Sequence, residues 1–190
     1  MQIEALEGRQ LFSGGAAHYV AQLVGANEIP AVQSPGKGVA KFTLNKAGTS
    51  LRYTLKVRGV MNAEGGHIHL GTAAENGEIV VDLMNSGPMH MTRKGFSSHG
   101  VLTAAQLGGS LAGHTLADLV AQLNAGTAYV NVHSDDGIAP PNTGAGDFPD
   151  GEIRGQIARV VKRARSSGQT GGTGGIGSNG GTGMPGGGMY

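Results

Sequence analysis

The stretch "GGHIHLG" (residues 65–71) places two histidines one residue apart, and "YVNVH" (residues 129–133) ends on a third. Side chains two apart on a strand share a face, so His67 and His69 project together, about 7 Å apart along the strand, while Ile68 and Leu70 point the opposite way toward the core. In the later stretch Val130 and Val132 take one face, and Tyr129, Asn131 and His133 take the other. Three imidazoles brought to one polar face could share one ion. Imidazole is a borderline ligand that suits copper or zinc, and the general order of divalent affinities favours Cu(II). His67, His69 and His133 are therefore the candidate metal ligands, and the alternative is a polar network that fixes the end of the fold. His18, His90, His99 and His114 have no comparable partner, although His90 and His99 are expected on loops that could fold over the site.

A second cluster lies in "HSDDGIAPPNTGAGDFPDGEIRGQI". Asp135, Asp136, Asp147 and Asp150 surround a Gly- and Pro-rich loop, and hard carboxylate oxygens of this kind can hold calcium, though the spacing matches no EF-hand. Solvated loop acids are the plainer reading. On the strand that follows, Glu152 and Arg154 share a face and are expected to form an ion pair that orients it. No nucleophile elbow, phosphate loop or pair of catalytic carboxylates is present.

These residues need elements to carry them. Strict alternation marks strands in "VAKFTLN" (39–45) and "LRYTLKVR" (51–58). The turn "NKAGTS" between them, where Asn45 and Gly48 tolerate positive backbone angles, predicts an antiparallel hairpin. Further strands are expected at 18–24, 66–70, 78–83, 127–133 and 152–161. One helix is predicted at about 115–125. Leu116, Leu119, Val120 and Leu123 form its apolar stripe, Thr115 and Asp118 open it, and Gly126 ends it. Seven or so short strands with one helix argue for an all-β fold, a Greek-key immunoglobulin-like β-sandwich or barrel.

Composition narrows the function classes. The chain has 190 residues, 38% of them apolar, enough for one core. With 14 Lys and Arg against 13 Asp and Glu, the net charge is +1, and no broad basic footprint invites nucleic acid. The cluster "RVVKRAR" (159–165) reads as a solvated strand end. Cysteine is absent, which removes disulfides and thiolate sites and leaves histidine to carry any transition-metal chemistry. No run has the length of a membrane span, and no signal peptide is visible, so the chain is expected to be cytosolic or already processed. Residues 1–17 read as an N-terminal extension, 18–162 as the β domain and 163–190 as a tail. From Ser166 to Tyr190 the tail carries 12 glycines in 25 residues and is expected to be flexible. Either terminus, or a sheet edge, could dock on a neighbouring copy to build a homo-oligomer or fibre.

Taken in chain order, "LVGANEIPAV", "GKGVAKFTL", "LRYTLKVRGV", "GHIHLGTAAENGEIVVDL", "GTAYVNVHS" and "GEIRGQI" resemble the CHRD (chordin-type) domain family over about residues 18–160. The resemblance marks Glu28, Pro30, His67, His69, Gly71, Asn131, His133, Gly151, Glu152, Arg154 and Gly155. It implies an all-β module on extracellular or cell-surface proteins with no established catalytic activity. The stretch between His133 and Gly151 is longer here than in the family pattern, which suggests an added lid, cation loop or assembly contact. The H-x-H with a later strand histidine is also similar to the copper half of copper-zinc superoxide dismutases. That similarity makes dismutase-like redox catalysis the second reading, against a non-catalytic display or matrix module that binds a copper-type ion.

Overall fold

The alternation seen in the sequence is realised as strands whose side chains enter one core. The computed structural model describes residues 16–161, so the predicted tail and most of the N-terminal extension lie outside the described residues. The strands are β1 (Ala17–Val24), β2 (Lys37–Leu44), β3 (Leu51–Arg58), β4 (Ala63–Leu70), β5 (Ile79–Asp82), β6 (Met89–Thr92) and β7 (Gly95–Leu102), then β8 (Ala128–Ser134), β9 (Phe148–Gln156) and β10 (Ala158–Arg159). Helix α1 (Leu116–Ala125) lies between β7 and β8. All pairings are antiparallel and join one sheet in the order β5-β4-β8-β9-β1-β2-β3-β7-β6, with β10 alongside β1.

The sheet curls on itself. Gly66 of β4 faces Leu55 of β3 and Phe96 of β7 across the interior, where an added Cβ would meet both at 3.2–3.3 Å. Tyr19, Leu23, Phe42, Leu51, Tyr53, Leu55, Ile68, Val130, Val132 and Ile153 fill the core with the four apolar residues of α1. Where β5 ends, the Leu83 carbonyl accepts hydrogen bonds from the Tyr53 hydroxyl at 2.8 Å and the Ser98 hydroxyl at 2.6 Å, tying one end of the strand order to the β3-β7 pair. The all-β expectation, sandwich or barrel with one short helix, is met.

The helix follows its signals. Asp118 accepts from the Thr115 backbone N–H at 2.9 Å, and Gly126 ends it at φ 71°. The β2-β3 hairpin forms as expected, but its two turn residues work differently. Gly48 takes the positive φ, whereas Asn45 accepts hydrogen bonds through its side chain from the N–H groups of Thr49 and Ser50. Strands β6 and β7 were not anticipated; they carry His90 and His99, which are exposed and lie at the far end of the strand order from β4, not on loops over the His67 site. The long strand expected at 152–161 is broken at Ile157 into β9 and β10.

Tyr53→Phe removes a buried hydroxyl whose acceptor keeps Ser98 as a donor. We expect a loss of about 1 kcal/mol, read as a lower urea midpoint at unchanged m-value.

Candidate metal centre

Strands β4 and β8 set the three imidazoles by their register. His67 pairs with Asn131, His69 with Tyr129, and Gly65 with His133, so the rings meet on the face opposite Ile68, Val130 and Val132. The ring centroids form a triangle of 5.8 Å (His67–His69), 5.0 Å (His67–His133) and 5.6 Å (His69–His133). One ligand nitrogen from each lies within 4.8 Å of the others. The two glycines that open the motif have opposite duties. Gly66 leaves room for core side chains, while a Cβ on Gly65 would stand 2.5 Å from His67 Cε1.

Hydrogen bonds fix which nitrogens face inward. His69 Nδ1 sits 2.9 Å from the Gly77 carbonyl, and His133 Nδ1 sits 2.9 Å from the Pro149 carbonyl. A carbonyl only accepts, so both imidazoles carry their proton on Nδ1 and present a bare Nε2. Those two Nε2 atoms stand 3.4 Å apart. Two lone pairs facing each other repel unless a proton or a cation lies between them. His67 adds a buried Nδ1 with no hydrogen-bond partner.

The surroundings keep the rings neutral. His69 is buried, with its pKa pushed down to about 4, chiefly by desolvation; the Gly77 carbonyl opposes the shift, and His133, His67 and Arg154 reinforce it. His67 is lowered as well, by desolvation first and His133 second, while nearby Asp82 opposes the shift. Neutral imidazole is the form that binds a metal.

The expected Glu152–Arg154 ion pair is absent. Among the described residues the one ion pair is His114–Asp118, and the two strand neighbours take separate partners. Glu152, fully buried, accepts from Ser34 Oγ at 2.6 Å, Ser134 Oγ at 2.5 Å and the Gly146 N–H at 3.1 Å. Arg154, 1% exposed, donates to Asn76 Oδ1 at 2.7 Å and to the carbonyls of Thr72 and Glu75 at 2.8 and 2.7 Å. Its guanidinium carbon lies 3.5 Å above the centre of the Tyr129 ring, and that ring stacks on His69 at 5.0 Å. The Tyr129 hydroxyl accepts from the Gly77 N–H at 3.0 Å. Tyr129, Asn76 and Gly77 are thus part of the site although the sequence assigned them no role. The local signal was the close spacing of Gly71 and Gly77 just after the histidines. At Gly77 a Cβ would fall 1.4 Å from the Leu70 carbonyl oxygen, so no side chain fits.

Glu28 and Asn131 meet beside the histidines. Asn131 Nδ2 donates to Glu28 Oε2 at 3.5 Å, while Glu28 Oε1 and Asn131 Oδ1 have no partner. Burial raises the Glu28 carboxyl to about 7, against the lowering effects of Arg154 and Asn131. Of the loop acids, Asp135, Asp136 and Asp147 bring ligand oxygens within 4.8 Å of one another, but Asp150 is not in that group and is exposed. Asp147 Oδ2 accepts from both the N–H and the hydroxyl of Thr143. Asp135 and Asp136 each accept from a backbone N–H two residues on.

The family model of the CHRD domain matches residues 19–157. The chain belongs to the CHRD domain family. No curated protein matches it. Within this CHRD domain the H-x-H of β4, the Asn131 and His133 of β8, and the Glu152 and Arg154 of β9 lie on adjacent strands, so the residues that carried the resemblance form one continuous patch.

Two opposing titrations cross this patch. In the metal-free fold His69 stays neutral between about pH 4 and its ordinary 6.5, while the unfolded chain takes up a proton, so its contribution to stability is lost as pH falls through that window. Glu28 is protonated in the fold up to about pH 7 but ionised above its ordinary 4.5 once unfolded, so its contribution is lost as pH rises. Glu28→Gln should remove the second effect. Chelator-treated Glu28→Gln protein should then lose on the order of 2 kcal/mol in urea unfolding between pH 6.5 and 4, where wild type changes less. Parallel profiles for the two proteins would refute this balance.

Proposed function

We propose that this CHRD domain is a non-catalytic, extracellular binding module that holds one copper-type ion, copper or zinc, through His67, His69 and His133. The observation that carries the reading is the pair of bare Nε2 atoms 3.4 Å apart, each held by a carbonyl behind it. Two imidazole nitrogens at about 2.0–2.1 Å from one tetrahedral ion are themselves about 3.3–3.4 Å apart. The backing carbonyls are the partners that orient ligating histidines and set their tautomer. The unpartnered Nδ1 of His67 supports a third ligand. The extracellular setting rests on the family, and no helix among the described residues is long and apolar enough to cross a membrane. Self-assembly through sheet edges is the further part of this reading, with β5 and β6, four residues each, as the terminal strands.

Isothermal titration with Cu(II) and Zn(II) is the test. The wild-type chain should take up one equivalent, His133→Ala should bind at least tenfold more weakly, and the triple His→Ala protein at least a hundredfold more weakly. Equal, negligible heats for wild type and triple variant would sink the metal reading. The dismutase-like alternative predicts superoxide consumption by the copper-loaded protein above that of free copper, whereas the module proposed here predicts none.

A further inference from the structure

A different face of the molecule concentrates nearly all the positive charge of the described domain. On the outward side of β2 and β3, Lys37, Lys41, Arg52, Lys56 and Arg58 are exposed, and the Arg93-Lys94 turn is tied to the end of β3 by the Gly59 N–H to Lys94 carbonyl bond at 2.6 Å. A groove of about 610 Å³ runs over this side; Lys37, Lys41, Lys56 and Arg58 line it beside Val39 and Val57, and no acid does. The overall charge of +1 conceals this because the described acids are carried by other elements: the 28 and 64–82 segments, α1 and the 135–152 stretch.

The register makes the crowding costly. Lys37 stands directly opposite Arg58, and like charges so placed destabilise an antiparallel pair. Among the described residues neither has an acidic partner. Cations held side by side against their own repulsion, in a concave site, form a receptor for an anion that supplies several charges at once.

From this geometry we infer that the groove binds a linear acidic polysaccharide, one bearing carboxylate or sulfate groups along its chain. A groove admits an extended chain, whereas a bilayer presents a flat surface. The lining has no aromatic side chain on which bases could stack, which separates this site from single-stranded nucleic-acid channels. The aliphatic floor of Val39 and Val57 and the lysine stems can pack on sugar rings while the charged ends reach the anions.

The experiment measures binding of the full chain to immobilised heparin dodecasaccharide and to polygalacturonate at 50 and 200 mM NaCl. Single-stranded DNA and phosphatidylserine vesicles of equal total charge serve as competitors. Lys37→Gln/Arg58→Gln should bind the glycan at least tenfold more weakly at 50 mM and with a shallower salt dependence. Lys46→Gln/Arg159→Gln removes the same charge elsewhere and should stay within twofold of wild type. Circular dichroism should show the groove variant folded, at a melting temperature no lower than wild type. Binding of either glycan with this pattern supports the site. Binding of neither, equal losses in the two variants, or stronger competition by DNA or vesicles than by free glycan would overturn it.

Discussion

A buried arginine without a carboxylate organises this domain. Taking a guanidinium out of water costs several kcal/mol unless its donors are used and its charge is met. Arg154 meets both demands without an anion in hydrogen-bonding reach. Two carbonyls and one amide oxygen, all from residues 72–76, take its N–H groups, and the Tyr129 ring takes its face. The loop after β4 therefore closes over the sheet because the arginine needs its carbonyls. The same loop delivers Gly77, whose carbonyl orients His69 and whose N–H reaches the Tyr129 hydroxyl. Cation, ring and imidazole form one stack, and the ligand geometry follows from it.

Glu152 plays the corresponding part at the other end of β9. Its carboxylate gathers Ser34, Ser134 and the Gly146 N–H, which joins the segment before β2 to the base of the loop that returns into β9. Two residues apart on one strand, an anion and a cation each hold down a different loop and leave one another alone. The outward face of β4, β8 and β9 is in this way roofed by loops, so that Tyr129, Asn131 and Arg154 are as buried as the hydrophobic core on the inner face.

Much of this was legible in the sequence. Period-two alternation located β2, β3, β4 and β8, since one face of each reaches a continuous core. The spacing of the three histidines placed them on one face correctly. Strands β6 and β7 escaped notice: all four residues of β6 are exposed, and Gly95 and Gly100 interrupt the alternation of β7. The partners of Glu152 and Arg154 could not be read locally, because Ser34 lies 118 residues from Glu152 and the Arg154 acceptors lie 78 to 82 residues away. Opposite charges two apart on a strand suggested a pair, but backbone and hydroxyl partners supplied by incoming loops won.

The meeting of His69 and His133 has a consequence for the chain as a polymer. They are 64 residues apart in sequence and belong to neighbouring strands of a protein that contains no cysteine. An ion shared between them would close that loop as a covalent bridge does. For a disulfide, a loop of this length corresponds to about 4 kcal/mol of lost unfolded-state entropy. Unlike a disulfide, such a clasp would depend on the supply of an ion and on neutral imidazoles, with no need for an oxidant.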